Sequence, residues 1–222
     1  MNNPIKTINY DSVNHKIRLG LRLIDHIRNS GIYNYPAVYL ASGLDLEFPL
    51  VLRARRIIMI DPIFKDENNI NIIRRKIINY DDNGSSYKQI SKFHHHFTFQ
   101  FDFGFGSETV HLDLFAKTYQ EFNYLSPIGY IIEFNNELDH CLYKSELLER
   151  LITNGVIIDN QESPLKHIKP SITDILFYGK DENILEEKRA SNLGLKTIRI
   201  ENVPFAVYQK VYNTSRLINF SN

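Results

Sequence analysis

The chain has 222 residues but only one cysteine, Cys141, so no disulfide can form within it. That composition fits a reducing compartment. It also lacks net charge: 26 Lys plus Arg balance 26 Asp plus Glu, which removes any bulk electrostatic claim on nucleic acid or anionic lipid. Only local patches remain available for such partners. Apolar runs such as Ile57 to Ile60 fall far short of the roughly 20 residues that a membrane-spanning helix needs. The first twelve positions, Met1 to Ser12, lack the apolar stretch of a signal peptide. Internal repeats and Gly/Ser linkers are missing too, as are cysteine clusters and His-Glu-x-x-His patterns. A soluble, cytoplasmic protein with one domain over residues 1–222 and no membrane partner is expected.

Hydrophobic residues make up 43% of the chain and charged residues 23%, enough to bury a core and to exclude whole-chain disorder. Helical spacing of Val13, Ile17, Leu21, Ile24 and Ile27 predicts an amphipathic helix over 13–29, ended by Ser30-Gly31. Ala37 to Ala41 and Ile57 to Ile60 are short apolar runs that read as buried strands. Between them Asp45 can cap a helix that Arg55-Arg56 closes with the favourable sign for its dipole. Residues 66–78 form a second amphipathic pattern on Ile70, Ile73 and Ile77, and 81–92 are polar and turn-rich.

The strongest periodicity follows. Phe97, Phe99, Phe101, Phe103 and Phe105 alternate with polar residues, and Val110, Leu112 and Leu114 alternate on the way back. This predicts a β-hairpin over 97–115 with one buried face. Further strands are expected at Tyr130 to Phe134, Val156 to Ile158, 174–178 and Leu195 to Ile200, with helices at Lys144 to Leu151 and Glu182 to Asn192. Alternating strands and helices predict an α/β fold with a doubly wound, mostly parallel sheet carrying an inserted hairpin.

Ligands of such sheets lie at the carboxyl ends of the strands. The turn Ala41-Ser42-Gly43-Leu44-Asp45 follows the first strand, where a small residue and a glycine let backbone approach a ligand. Asp61 ends the second strand, 18 residues after Gly43, near the separation expected for a carboxylate that accepts both ribose hydroxyls. A full G-x-G-x-x-G pattern would need glycine where Asp45 and Phe48 stand, which counts against a pyrophosphate ligand. The competing reading is purely structural: Gly43 makes a turn and Asp61 caps the next helix.

Val38-Tyr-Leu-Ala-Ser-Gly-Leu-Asp45, Ile57-Ile-Met-Ile-Asp61 and Leu147-Leu-Glu-Arg-Leu-Ile-Thr-Asn-Gly-Val-Ile-Ile158 together resemble the class I S-adenosylmethionine-dependent methyltransferase family. The order of elements matches from about residue 13 to about residue 200. The resemblance implies a Rossmann-like methyltransferase fold that binds S-adenosylmethionine. It implies that Asp61 holds the ribose and that Ala41, Ser42, Gly43, Leu44 and Asp45 line the methionine end. It further implies a third-strand acid beside the adenine, either Asp113 or Asp102. Glu133, Phe134, Asn135 and Asn136 would face an acceptor, a small molecule or a protein. The chain departs from the family in having one glycine in the first loop, no Asn-Pro-Pro-Tyr-like motif, and the extra hairpin.

Other residues carry weaker signals. His94-His95-His96 with His111 and Asp113 has zinc-compatible chemistry, but adjacent histidines beside a polar loop are expected to be solvated rather than ligating. Cys141 adjoins His140, and neighbouring residues rarely face each other, so a packed or exposed thiol is expected. The arginines at 53, 55, 56 and 74–75 with Lys76, and the segment Glu186 to Arg189, read as solvated faces. Two functions stay open: a methyltransferase-like protein, or a non-catalytic Rossmann-like binding protein with a decayed cofactor site. An NAD-type oxidoreductase is disfavoured by the loop.

Overall fold

The computed structural model describes residues 10–27, 31–81, 84–116, 127–134, 147–160, 190–191, 194–198 and 205–211. Helix α1 (Tyr10–Ile27) leads to β1 (Ala37–Leu40), α2 (Glu47–Val51), β2 (Arg56–Ile60) and α3 (Glu67–Tyr80). Three consecutive strands follow, β3 (Ser86–Ser91), β4 (His94–Asp102) and β5 (Ser107–Phe115). The remaining strands are β6 (Ile128–Glu133), β7 (Leu151–Asn160), β8 (Leu195–Ile198) and β9 (Phe205–Lys210). All nine join one sheet in the order β3-β4-β5-β2-β1-β6-β7-β9-β8. Strands β5, β2, β1, β6 and β7 run parallel. Strands β3 and β4 extend one edge antiparallel, and β9 is antiparallel to both neighbours at the other. The order reverses between β1 and β6, and this is the switch point where doubly wound sheets bind ligands.

Strands β1, β2 and β6 are apolar because both of their faces are covered, whereas β5 keeps one polar face. Ala37, Tyr39, Ile57, Met59, Tyr130 and Ile132 join the layer that contains α1 and α3. Val38, Leu40, Ile58, Ile60, Ile131 and Ile157 point the other way, into a second layer. The expected mixed α/β sheet with a parallel core and an antiparallel hairpin is therefore present. The hairpin is more integral than an insertion, since its return arm β5 pairs in parallel with β2 as a core strand. Among the described residues no helix is long and apolar enough to cross a membrane.

Several expectations need correction. The stripe of α1 through Ile17 and Leu21 is exposed, at 42% and 58%, while Leu19, Leu23 and Ile27 are buried. This helix carries two apolar stripes, and close packing chooses between them. A Cβ on Gly20 would lie 2.5 Å from Val51 Cγ1, so only the face bearing this glycine can meet α2. The phenylalanine stripe is buried at Phe97 and Phe99, but Phe105 at the hairpin tip is 57% exposed. Residues 86–91, expected as part of a polar loop, form the edge strand β3, whose side chains are mostly exposed and so carry no apolar alternation. Strand β9 is an element that the sequence reading lacks; Val207 and Tyr208 are its buried apolar positions. The strand expected at 174–178 and most of the helix expected at 182–192 lie outside the described residues, as do His140 and Cys141.

His95 shares the buried face of β4 with Phe97 and Phe99. Its Nδ1 lies 2.9 Å from the Tyr87 hydroxyl. Burial pushes its pKa below the ordinary 6.5, with Glu67 opposing and His94 adding to the shift. The unfolded chain then binds the extra proton more readily, so stability is full above about pH 6.5 and declines as pH falls through the lower folded value. Urea midpoints at pH 7.5 and pH 5 should show this loss, and His95→Phe should reduce the difference between them. Phe99→Ala empties a fully buried site and should cost about 3–5 kcal/mol by the same measurement. A loss below about 1 kcal/mol would mean that this stripe is not core.

Candidate functional site

Strand ends bring eight of the expected residues, the turn 41–45 with Asp61, Glu133 and Phe134, to one edge of the sheet. The turn 41–45 leaves β1, and Asp61 leaves β2 next to it. Leu40 is in register with Glu133 of β6, across the switch point. Asp61 organises this edge. Its Oδ2 accepts from the Gly43 N–H at 2.8 Å and its Oδ1 from the Ile63 N–H at 3.0 Å. Its own N–H donates to the Phe115 carbonyl at 3.0 Å. Asp61 is thus both a partner of the first loop and the N-cap of the turn that begins at Pro62. The structural reading left open by the sequence, a cap at Asp61 and a turn at Gly43, is present in these contacts.

The loop has unusual backbone. Gly43 has φ 55°, and a Cβ built there would meet nothing within 4 Å, so the space over its Cα is open. Ala41 has φ 45°, a left-handed conformation that costs an L-residue about 1–2 kcal/mol relative to glycine. Ser42 is buried and its hydroxyl donates to the Gly43 carbonyl at 3.3 Å. From below, Lys76 of α3 donates to the Leu44 carbonyl at 2.8 Å and pairs with Glu47 at 2.7 Å. This lysine was expected on a solvated face; instead it clamps the loop.

Asp45 turns away from the open side. Its Oδ2 accepts from Lys16 Nζ at 2.7 Å and from the Tyr39 hydroxyl at 2.9 Å, and its Oδ1 accepts from the Phe48 N–H at 3.2 Å. One of the N–H groups at the start of α2, that of Phe48, is accordingly taken by Asp45. Lys16 also lies 4.3 Å from the Phe134 ring centroid. Phe134 packs edge-on against Tyr39 and Phe48, at 5.8 and 4.9 Å. Burial, and then the neighbouring Asp45 carboxylate, push the Tyr39 pKa well above 10. Lys16, Tyr39 and Phe48 were missed at the sequence level. The available signal was a lysine on the stripe that continues through Leu19, Leu23 and Ile27.

Glu133 is 1% exposed at the end of β6, a carboxylate held inside the edge. Phe134 is buried beside it, while Asn135 and Asn136 lie outside the described residues. Asp113 sits elsewhere. It pairs with Ile58, two positions before the end of β5, on the polar face of the hairpin. There its Oδ1 accepts from His94 Nε2 and His96 Nδ1, both at 2.8 Å. Burial raises its pKa, but the two histidine hydrogen bonds and their charges outweigh it and hold the carboxyl below its usual range. An ionised carboxylate only accepts, so both facing nitrogens carry protons. Asp102 pairs with Ser107 at the hairpin turn, at the opposite edge of the sheet. The structure therefore brings neither acid to the end of β5. Among the described residues no group of three His, Cys, Asp or Glu side chains could hold a metal ion.

No family model matches the chain, and no curated protein matches it in sequence. Solved structures do align with it along most of its length. A precorrin-6y C5,15-methyltransferase from Geobacter metallireducens GS-15 is 12% identical, with 94% of this chain and 93% of that one covered and a TM-score of 0.44. The magnesium protoporphyrin IX methyltransferase from Synechocystis PCC 6803 with bound SAH is 9% identical, covering 94% and 89%, with a TM-score of 0.44. An O-methyltransferase from Bacillus cereus in complex with SAH is 12% identical, covering 94% and 84%, with a TM-score of 0.43. These neighbours are methyltransferases at low sequence identity, and the chain is similar to them in the path of its fold.

Proposed function

We propose that the chain is an S-adenosylmethionine-binding, methyltransferase-like protein with its ligand across the ends of β1 and β2. One observation carries the reading: the Asp61 carboxylate meets the Gly43 N–H at the switch-point edge. Each Asp61 oxygen accepts one backbone N–H, and each has a second lone-pair direction for a ribose hydroxyl. The open space over Gly43 gives the backbone cradle room for a ligand. The residues present fit the adenosyl end of the group. When bound, the ligand supplies a methyl group already activated on a sulfonium. The protein's part is then alignment, with a base needed only where the acceptor carries a proton. Glu133 and Phe134 border the acceptor side, and the buried Glu133 carboxylate is the nearest candidate to take that proton. The acceptor is a small molecule or a protein.

A non-catalytic binding role has one observation of its own. Asp45 is committed to Lys16, Tyr39 and the Phe48 N–H, so part of the expected ligand lining is used internally. Titration calorimetry with S-adenosylmethionine and S-adenosylhomocysteine, with NAD as control, separates the two readings, because only the first requires an adenosyl ligand to bind. The absence of heat from either adenosyl ligand at millimolar concentration would leave only the non-catalytic reading.

Two variants sharpen the test. Asp61→Ala removes charge-assisted bonds worth roughly 1.5–3 kcal/mol each, so affinity should fall by about one to two decades. Because the same carboxylate caps the following turn, stability should also drop, by about 1 kcal/mol or more. Asp61→Asn keeps an acceptor for the cap, so it should recover most of the melting temperature while affinity stays low. Equal affinity in all three proteins would remove Asp61 from the site. Ala41→Gly relieves a left-handed alanine and should raise stability by about 0.5 kcal/mol in urea denaturation. A loss instead would show that the Ala41 methyl packs usefully in its place.

A further inference from the structure

The opposite, amino edge of the sheet holds a cavity of about 220 Å³. Ile24 and Ile27 of α1 and Leu52 give it an apolar floor, and Tyr33 and Phe105 give it two aromatic walls. Arg53 and Arg55, which lie just before β2, bring guanidinium groups to it. We infer that this cavity binds a small aromatic monocarboxylate, at a site separate from the adenosyl edge.

Three features support that assignment. The first is charge. Arg55 pairs with Glu108 at 2.8 Å, whereas Arg53 has no carboxylate partner among the described residues and only faces the Phe105 ring at 4.7 Å. The lining arginines and the acid that touches them therefore leave one positive charge unmatched, which suits a single negative charge on the ligand. The planar guanidinium matches a carboxylate through two parallel N–H bonds.

The second feature is backbone strain. Arg53 follows the last turn of α2 with φ 60°, its N–H bonded to the Leu50 carbonyl at 2.9 Å. That is the helix-end position where glycine is favoured. An arginine there costs stability relative to glycine, and what it adds is a cation at the cavity. The third is the aromatic wall. Phe105 is 57% exposed at the hairpin tip, where a polar turn residue would be cheaper, and it stacks on Phe103 at 6.1 Å between centroids. Arg55 likewise faces the Tyr33 ring at 5.6 Å. Volume limits the ligand. The cavity is smaller than the roughly 300–1,000 Å³ typical of sites for drug-sized ligands, so a single ring with one carboxylate fits and a nucleotide does not.

The test uses benzoate as probe on the full chain, with benzyl alcohol and benzylammonium as neutral and cationic isosteres, read by ligand-observed NMR and calorimetry. Benzoate should saturate the site and bind at least about ten-fold better than either isostere, with affinity falling as salt is raised. Arg53→Gly should lower benzoate affinity about ten-fold or more while the melting temperature holds or rises, because glycine accepts that backbone. Phe105→Ala, at an exposed position, should also weaken benzoate without loss of fold. Asp61→Ala should leave benzoate binding unchanged, which separates this site from the adenosyl edge. The inference is overturned if benzoate shows no saturation below about 10 mM, a generous ceiling for so small a ligand. It is equally overturned if benzyl alcohol binds as well, or if Arg53→Gly keeps wild-type affinity.

Discussion

Asp61 is the residue on which the carboxyl edge depends. Its carboxylate and backbone fasten three strand ends: the loop leaving β1 through Gly43, the turn leaving β2 through Ile63, and the end of β5 through the Phe115 carbonyl. A charge placed after four buried residues of β2 would be costly without partners. Backbone N–H groups supply them without bringing in a countercharge. This choice has a consequence for ligands. On the function proposed above, each Asp61 oxygen keeps a lone-pair direction for a ligand hydroxyl while the loop is already in place. Preorganisation of this kind lowers the ordering cost of binding.

The rest of the edge is set by commitments further inside. Lys16 reaches from α1 to Asp45 and over Phe134, and Lys76 reaches from α3 to the Leu44 carbonyl. Both ion pairs are partly exposed, so their direct contribution to stability is small, about 0–1 kcal/mol each. Their effect is positional: they fix the loop from both flanking helices. The left-handed conformation of Gly43 is one glycine accepts by itself, whereas that of Ala41 is held by its surroundings against local preference.

What the sequence made legible follows from burial. The runs at 37–41, 57–60, 130–134 and 156–158 lie in strands whose faces are both covered, so an apolar run is their whole signature. Strand β4 was legible because one face is phenylalanine and the other polar. Strand β3 was not, because an edge strand with solvated side chains has no pattern to read. The orientation of α1 also failed to show, since it turns on one steric fact: Gly20 must meet Val51. Position along the chain located Asp61 and Gly43 at a shared edge, because strand ends are local features. The partners of Asp113 and Asp45 depend on pairing register and on a helix distant in sequence. Hence the sequence could group His94 and His96 with Asp113 only on condition of the hairpin register, and it offered Lys16 on the buried stripe without its partner Asp45.

Strand β2 physically connects the two polar edges. It spans five residues, about 17 Å at the usual rise, with Arg53 and Arg55 just before it and Asp61 just after. Contiguity alone does not couple two sites; coupling requires an element with two arrangements that each ligand favours differently. Strand β2 is flanked on both sides by parallel partners in full register, and its residues from Ile57 to Ile60 are buried. A strand so held has no second packing within reach, because a one-residue slip would exchange its two buried faces. Ligands at the two edges should therefore bind additively. Among the described residues the helices α1 and α2 also touch both edges, α1 through Lys16 and Ile24 with Ile27, and α2 through the Phe48 N–H and the Leu52 and Arg53 that follow it. The outer stripe of α1 at Ile17 and Leu21 is unburied, so this helix is less constrained than β2.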